Sequence, residues 1–158
     1  MRDLAIRNTH PTIKVIDKNA TIAYDIDKKE VTLNESLISD EIKRLELKKA
    51  KVDKKQELIN MFKVESEKPV LVSSINYNGG FDSALKLDGA KRLAELAGLN
   101  SVVFFDISDE PHTLTIPEAN NVILAVSAKY QIDFTKLQEK KVLVESKIKV
   151  STVKAVSW

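Results

Sequence analysis

Two histidines, twenty-three acidic residues and no cysteine bound the chemistry open to this chain of 158 residues. Without Cys there are no disulfides, thiolate metal sites or thiol nucleophiles. His10 sits in a Thr-His-Pro turn, and His112 follows Asp109-Glu110-Pro111, with Asp106 close by in sequence. Carboxylates beside an imidazole raise the question of a bound cation. The segment lacks the calcium-loop spacing, so a polar turn is the preferred reading and no metal ligand is assigned. Asn78-Gly79-Gly80-Phe81 is glycine-rich but matches neither the phosphate-cradling loop nor the dinucleotide fingerprint. No GxSxG elbow, HExxH motif or singled-out carboxylate pair is present. The expectation is therefore a protein that is not an enzyme, with no cofactor, acting through its surfaces.

Composition narrows the class of partner. Hydrophobic residues make up 43%, enough for a core. Lys and Arg number 25 against 23 acids, a net charge of +2, which is no argument for nucleic acid. The basic run Lys43-Arg44, Lys48-Lys49, Lys51 and Lys54-Lys55 is interleaved with Glu41, Glu46, Asp53 and Glu57. It carries no aromatic residue on which a base would stack, and reads as a solvated helix face. No apolar run approaches the ~20 residues of a membrane helix, and the start lacks a signal-peptide core. Neither a nucleic-acid nor a membrane partner is expected.

The elements that must position these residues imply an α+β chain. Leu4–Arg7, Ile13–Ile16, Thr21–Tyr24 and Val31–Leu33 read as short strands of a β-meander over residues 1–33, with turns at Asp17-Lys18-Asn19 and Asp27-Lys28-Lys29. Residues 34–64 read as a long connecting helix, capped by Asn34 or Ser36 and about 40 Å long. Its residues Ile38, Ile42, Leu45, Lys49, Val52, Gln56 and Ile59 follow the 4,3 spacing of a coiled-coil seam, with Lys49 and Gln56 as polar interruptions. Two arrangements fit: a self-associating helix, making the chain a homo-oligomer, or a connecting helix that packs one stripe on its own domain. Glu65-Ser66-Glu67-Lys68-Pro69 reads as a linker opening a C-terminal α+β domain over residues 65–158.

Within that domain Val70–Asn76 reads as a strand, followed by a turn at Asn78-Gly79-Gly80 and a helix over Leu85–Leu96 stopped by Gly98. Ser101–Asp106 reads as a second strand able to pair with Val70–Ile75. Thr115-Ile116-Pro117-Glu118 is a capping box with Pro in the first turn, opening a helix that runs to about Val150. Ile123, Val126, Tyr130, Phe134, Leu137, Val144 and Ile148 form its apolar stripe. Ser151 is expected to cap a short final turn. Phe81, Phe104 and Phe105 are expected in the core, with Trp158 as a closing anchor.

The order of these marks resembles an uncharacterised domain family of bacteriophage and prophage tail-fibre proteins, over about residues 55–158. The marks are the helix ending near Phe62, the strand Val70–Ile75, Gly80-Phe81-Asp82, the helix stopped at Gly98, Phe104-Phe105, Thr115-Ile116-Pro117-Glu118, and Ser151-Thr152-Val153 with Val156-Ser157-Trp158. Asp82-Ser83-Ala84-Leu85 departs from the more polar turn of the family. The resemblance carries no catalytic residues. It implies a virion structural protein of the tail, made in the bacterial host cytoplasm, acting as adaptor or fibre component at the baseplate or fibre attachment site. Its partners would be phage tail, baseplate or fibre proteins. A tail-fibre assembly chaperone is the alternative. Candidate interaction residues are Ile38, Ile42, Leu45, Val52, Ile59 and Trp158.

Overall fold

A computed structural model describes residues 1–158. The fold is α+β, with five helices and three two-stranded antiparallel sheets. The chain forms two compact units: residues 1–55 with 144–156, and residues 56–143 with 157–158. The expected linker near Pro69 is a turn inside the second unit. No helix is long and apolar enough to cross a membrane.

The first unit opens with α1 (Arg2–Thr9), which corrects the strand expected at Leu4–Arg7. A short apolar run does not distinguish strand from helix by period alone. The helix is set by Asp3–Arg7 pairing at i,i+4 (3.1 Å) and by burial of the adjacent Ala5 and Ile6. Next come β1 (Val15–Ile16) and β2 (Ala23–Tyr24), paired antiparallel. Both expected turns form. Asp17 accepts hydrogen bonds from the amides of Asn19, Thr21 and Ile22; Asp25 accepts from those of Asp27 and Lys29. Such Asx bonds satisfy loop amides without regular structure.

Helix α2 (Glu35–Ser66) starts at Asn34, whose Oδ1 accepts from the Leu37 amide at 3.1 Å. Its early turns pack on the N-terminal segment: Ile38 joins Ala5, Ile6, Ile13 and Ala23 in one core, with Ile42 and Leu45 at its margin. Arg2 makes a bidentate pair with Glu35 (2.9 and 2.7 Å), and Asn8 Nδ2 donates to Glu41. Hydrogen bonds from Arg44 and Asn8 pull the Glu41 carboxyl down from 4.5 to about 2. Lys51 and Lys55 both pair with Glu145, and the short helix α5 (Val150–Lys154) buries Val153. That last turn begins after Lys149 in extended conformation, not at Ser151, and Thr152 Oγ1 donates back to the Lys149 carbonyl.

In the second unit, the expected strand Val70–Asn76 is instead a hairpin, β3 (Val70–Val72) with β4 (Ile75–Tyr77). Ser73 and Ser74 form its two-residue turn at φ 49° and 70°, the left-handed geometry that usually recruits Asn or Gly. Helix α3 (Phe81–Leu96) starts one turn earlier than expected, with Gly80 at its N-cap. It ends in a Schellman motif: Leu99 N–H bonds the Ala94 carbonyl (2.9 Å), Gly98 N–H bonds that of Glu95 (3.0 Å), and Gly98 has φ 70°.

Strand β5 (Ser101–Phe105) pairs with β6 (Pro111–Thr115), not with Val70–Ile75. Closing the short Asp106–Glu110 loop costs less entropy than reaching back across α3. Helix α4 (Ile116–Ser146) begins in the expected capping box: Glu118 Oε2 accepts from the Thr115 amide (2.8 Å) and hydroxyl (2.7 Å), and Thr115 Oγ1 accepts from the Glu118 amide (3.4 Å). It stops at Ser146 rather than near Val150, which leaves Ile148 exposed. Tyr77, Ala84, Phe104, Ala119, Val122 and Val126 make the core. Phe104 is buried as expected. Phe81 and Phe105 are not: they are 51% and 55% exposed, Phe105 because strand alternation turns it away from the face that Phe104 buries.

Gly79 is buried where β4 leads into α3, and a Cβ there would clash with the Lys68 carbonyl and lie 2.8 Å from that of Ser66. Gly79→Ala is expected to cost about 1–3 kcal/mol by overpacking. Gly98→Ala meets open space and should cost only the left-handed strain, about 1–2 kcal/mol. Urea unfolding of the two variants checks the order. A pH test follows from Glu41: its stabilisation is present above the ordinary 4.5 and is lost as pH falls through about 2. The midpoint difference between the native chain and Glu41→Gln should shrink across that window.

Candidate functional site

The coiled-coil seam is divided by the fold. Ile38 is fully buried in the first unit, and Ile42 and Leu45 pack against the same core. Val52 is 59% exposed, and Ile59, in the second unit, is half-buried. The polar interruptions are satisfied on the helix itself: Lys49 pairs with Asp53 at 2.5 Å, and Gln56 Nε2 donates to Asn60 Oδ1 at 3.1 Å. The early seam thus lies on the chain's own core. Much of the basic run is likewise paired, Lys43 with Asp40 and Arg44 with Glu41.

Trp158 lies where several aromatic residues of the second unit meet. Its ring centroid is 6.4 Å from that of Phe62, and Lys136 Nζ sits 4.8 Å from its centroid. Phe62 in turn contacts Tyr130 (5.6 Å) and Phe134 (6.1 Å), and Tyr130 contacts Phe81 at 5.4 Å. Only Trp158 of this group is among the interaction residues expected from sequence. The i,i+4 spacing of Tyr130 and Phe134 placed both on one helix face. Nothing in the spacing linked them to Phe62, because that contact joins two remote helices. The cluster is partly open, with Phe81 and Phe134 among the exposed large apolar residues. Rings of this kind combine a large apolar surface with little side-chain entropy to lose on contact.

His10 stands at the end of α1, and His112 on a strand beside the β5–β6 turn. His10 Nε2 accepts from the Asn34 amide (3.2 Å) and Nδ1 lies 2.8 Å from Thr9 Oγ1, so the ring ties α1 to the start of α2. His112 lies on β6, with Nε2 3.1 Å from Asp106 Oδ2. Asp106 Oδ1 accepts from the amides of Ser108 (2.7 Å) and Glu110 (3.0 Å). The His112 bond and then the Glu110 amide hold the Asp106 carboxyl below the usual carboxylate range. Ligating atoms of Asp106, Glu110 and His112 lie within 4.8 Å of one another, a spacing that suits a cation. The bonds Asp106 makes are those of the β5–β6 turn, with Asp109 at φ 60°. The Asn78-Gly79-Gly80 segment forms no phosphate cradle: a carboxylate, that of Glu67, lies against Gly80.

The chain has no significant match among known protein families, curated proteins or solved structures.

Trp158→Ala removes a ring contact and a cation–π contact and should cost about 1–2 kcal/mol in urea unfolding. Lys136→Met should recover only the cation's share of that loss. Asp106→Ala should loosen the β5–β6 turn and raise amide exchange at Ser108 and Glu110, with little change in the first unit. Because the Asp106 carboxyl is held low, its contribution is present above the normal carboxylate range and fades as pH falls below it.

Proposed function

We propose that the chain is a non-enzymatic structural protein of a bacteriophage or prophage tail, acting as an adaptor or fibre component at the baseplate or fibre attachment site. The observation that carries the reading is where the resembling segment falls. Most of its marks, over about residues 55–158, lie in the second compact unit, while Ser151-Thr152-Val153 and Val156 fall in the first; Trp158, the last of them, has its ring 6.4 Å from that of Phe62.

The first unit would be the anchor. Val15, Ile26 and Leu37 leave apolar side chains on its surface, Ile26 being 75% exposed. Exposed apolar groups grouped on one small unit suit burial against a larger protein.

The assembly-chaperone reading draws on a different observation: the second unit carries exposed Leu93 and Leu99 beside β5, which itself exposes Phe105, a surface able to shield an unfinished fibre.

Quantitative mass spectrometry of purified particles separates the two. The adaptor reading expects the chain in the virion at a fixed multiple of the tail symmetry. Abundance in the infected cell with absence from particles would overturn it in favour of the chaperone. For the adaptor, Val15→Glu with Ile26→Glu should cut incorporation at least tenfold while leaving the circular dichroism spectrum unchanged.

A further inference from the structure

The second unit holds two hairpins whose facing edges almost join. In the β5–β6 ladder, Asp106 N–H bonds the Glu110 carbonyl and Ile116 N–H bonds that of Asn100. With the observed register, the even-numbered residues of β5 therefore bond β6. The backbone groups of Val103 and Phe105 point to the opposite edge, where no backbone partner meets them. The next outward group, Ile107 N–H, bonds the Asn76 carbonyl of β4 at 3.0 Å. No ladder bond follows that one. Beyond it lies an open cavity of about 490 Å³, with Tyr77 and Asn78 on one side, Val103 and Phe105 on the other, and Lys86 and Ala90 of α3 along it.

We infer that this opening is a docking slot for a single extended peptide segment of a partner protein, bound by strand addition to the free edge of β5. Main-chain groups of Val103 and Phe105 supply the hydrogen bonds, and the apolar walls take alternate side chains. The occupant is one strand rather than a sheet edge, because residues of both β4 and β5 line the opening. It is not a second copy of this chain, whose strands are all held in hairpins. Charge narrows it further. Lys86 lines the slot and forms no ion pair within the chain; Glu67, exposed beside Gly80 at the start of α3, lines it too and likewise forms none. The complementary segment therefore carries an acidic residue facing Lys86 and a basic one facing Glu67, among apolar ones. The inference stands on this geometry whether or not the chain belongs to a tail.

The test is selection of random seven-residue peptides on the full chain, followed by titration of the enriched peptides with amide exchange read by NMR. The expected peptides alternate apolar residues and include one acid and one base. They slow exchange of the Val103 and Phe105 amides at least tenfold, and methylating peptide nitrogens at alternate positions abolishes binding for one parity only. Lys86→Glu, a surface change, should weaken them at least tenfold. Failure to enrich any peptide, binding indifferent to Lys86→Glu, or Val103 and Phe105 amides already protected in the free chain would each overturn the inference.

Discussion

The close approach of Gly79 to the end of α2 is the constraint on which the second unit depends. Two carbonyls, those of Ser66 and Lys68, occupy the space a side chain at Gly79 would need. Only glycine lets the strand-to-helix link pass there. That contact sets where β4 ends and α3 begins, and α3 then brings Ala84, Leu87 and Ala90 against Phe104 and Tyr77. Lys129 reinforces the same place from α4: its ammonium donates to the Glu65 carbonyl and pairs with Asp133 at 2.7 Å. A cation on the last carbonyls of a helix satisfies acceptors the helix leaves open and suits its dipole.

The first unit is held differently. Its core has few buried residues and its strands are two residues long, so regular hydrogen bonding does little. Side-chain bonds take over. Asp17 and Asp25 organise the loops, Arg2 and Asn8 fasten α1 to Glu35 and Glu41, and His10 bonds the Asn34 amide. Most of these groups are solvent-exposed, where each contributes modestly and salt screens it.

The candidate sites were legible to different depths. Trp158 stood out as a terminal aromatic anchor and lies on Phe62, but the rest of that aromatic group depends on contacts between remote helices. Ile38, Ile42 and Leu45 were legible as one stripe. Whether the stripe faced a second helix or the N-terminal segment depended on α1, whose short apolar run fits a strand as well as a helix. The turn held by Asp106 and His112 was readable as polar, although not that His112 would lie on a strand. The edge of β5 was not readable, because an edge is defined by which strands fail to pair.

Sequence alone therefore determined what is decided within a few residues. Asn34 starts a helix, Thr115 and Glu118 cap another, Gly98 stops a third, and Asp17 and Asp25 make turns, because each rests on hydrogen bonds spanning two to five positions. The α+β class followed from the same local signals. Tertiary structure decided the pairing of Ser101–Phe105 with Pro111–Thr115, the hairpin at Ser73–Ser74, the helix at Arg2–Thr9 and the exposure of Phe81 and Phe105. Those outcomes turn on loop closure and on which distant surface buries an apolar side chain, and both depend on residues far along the chain rather than on neighbours.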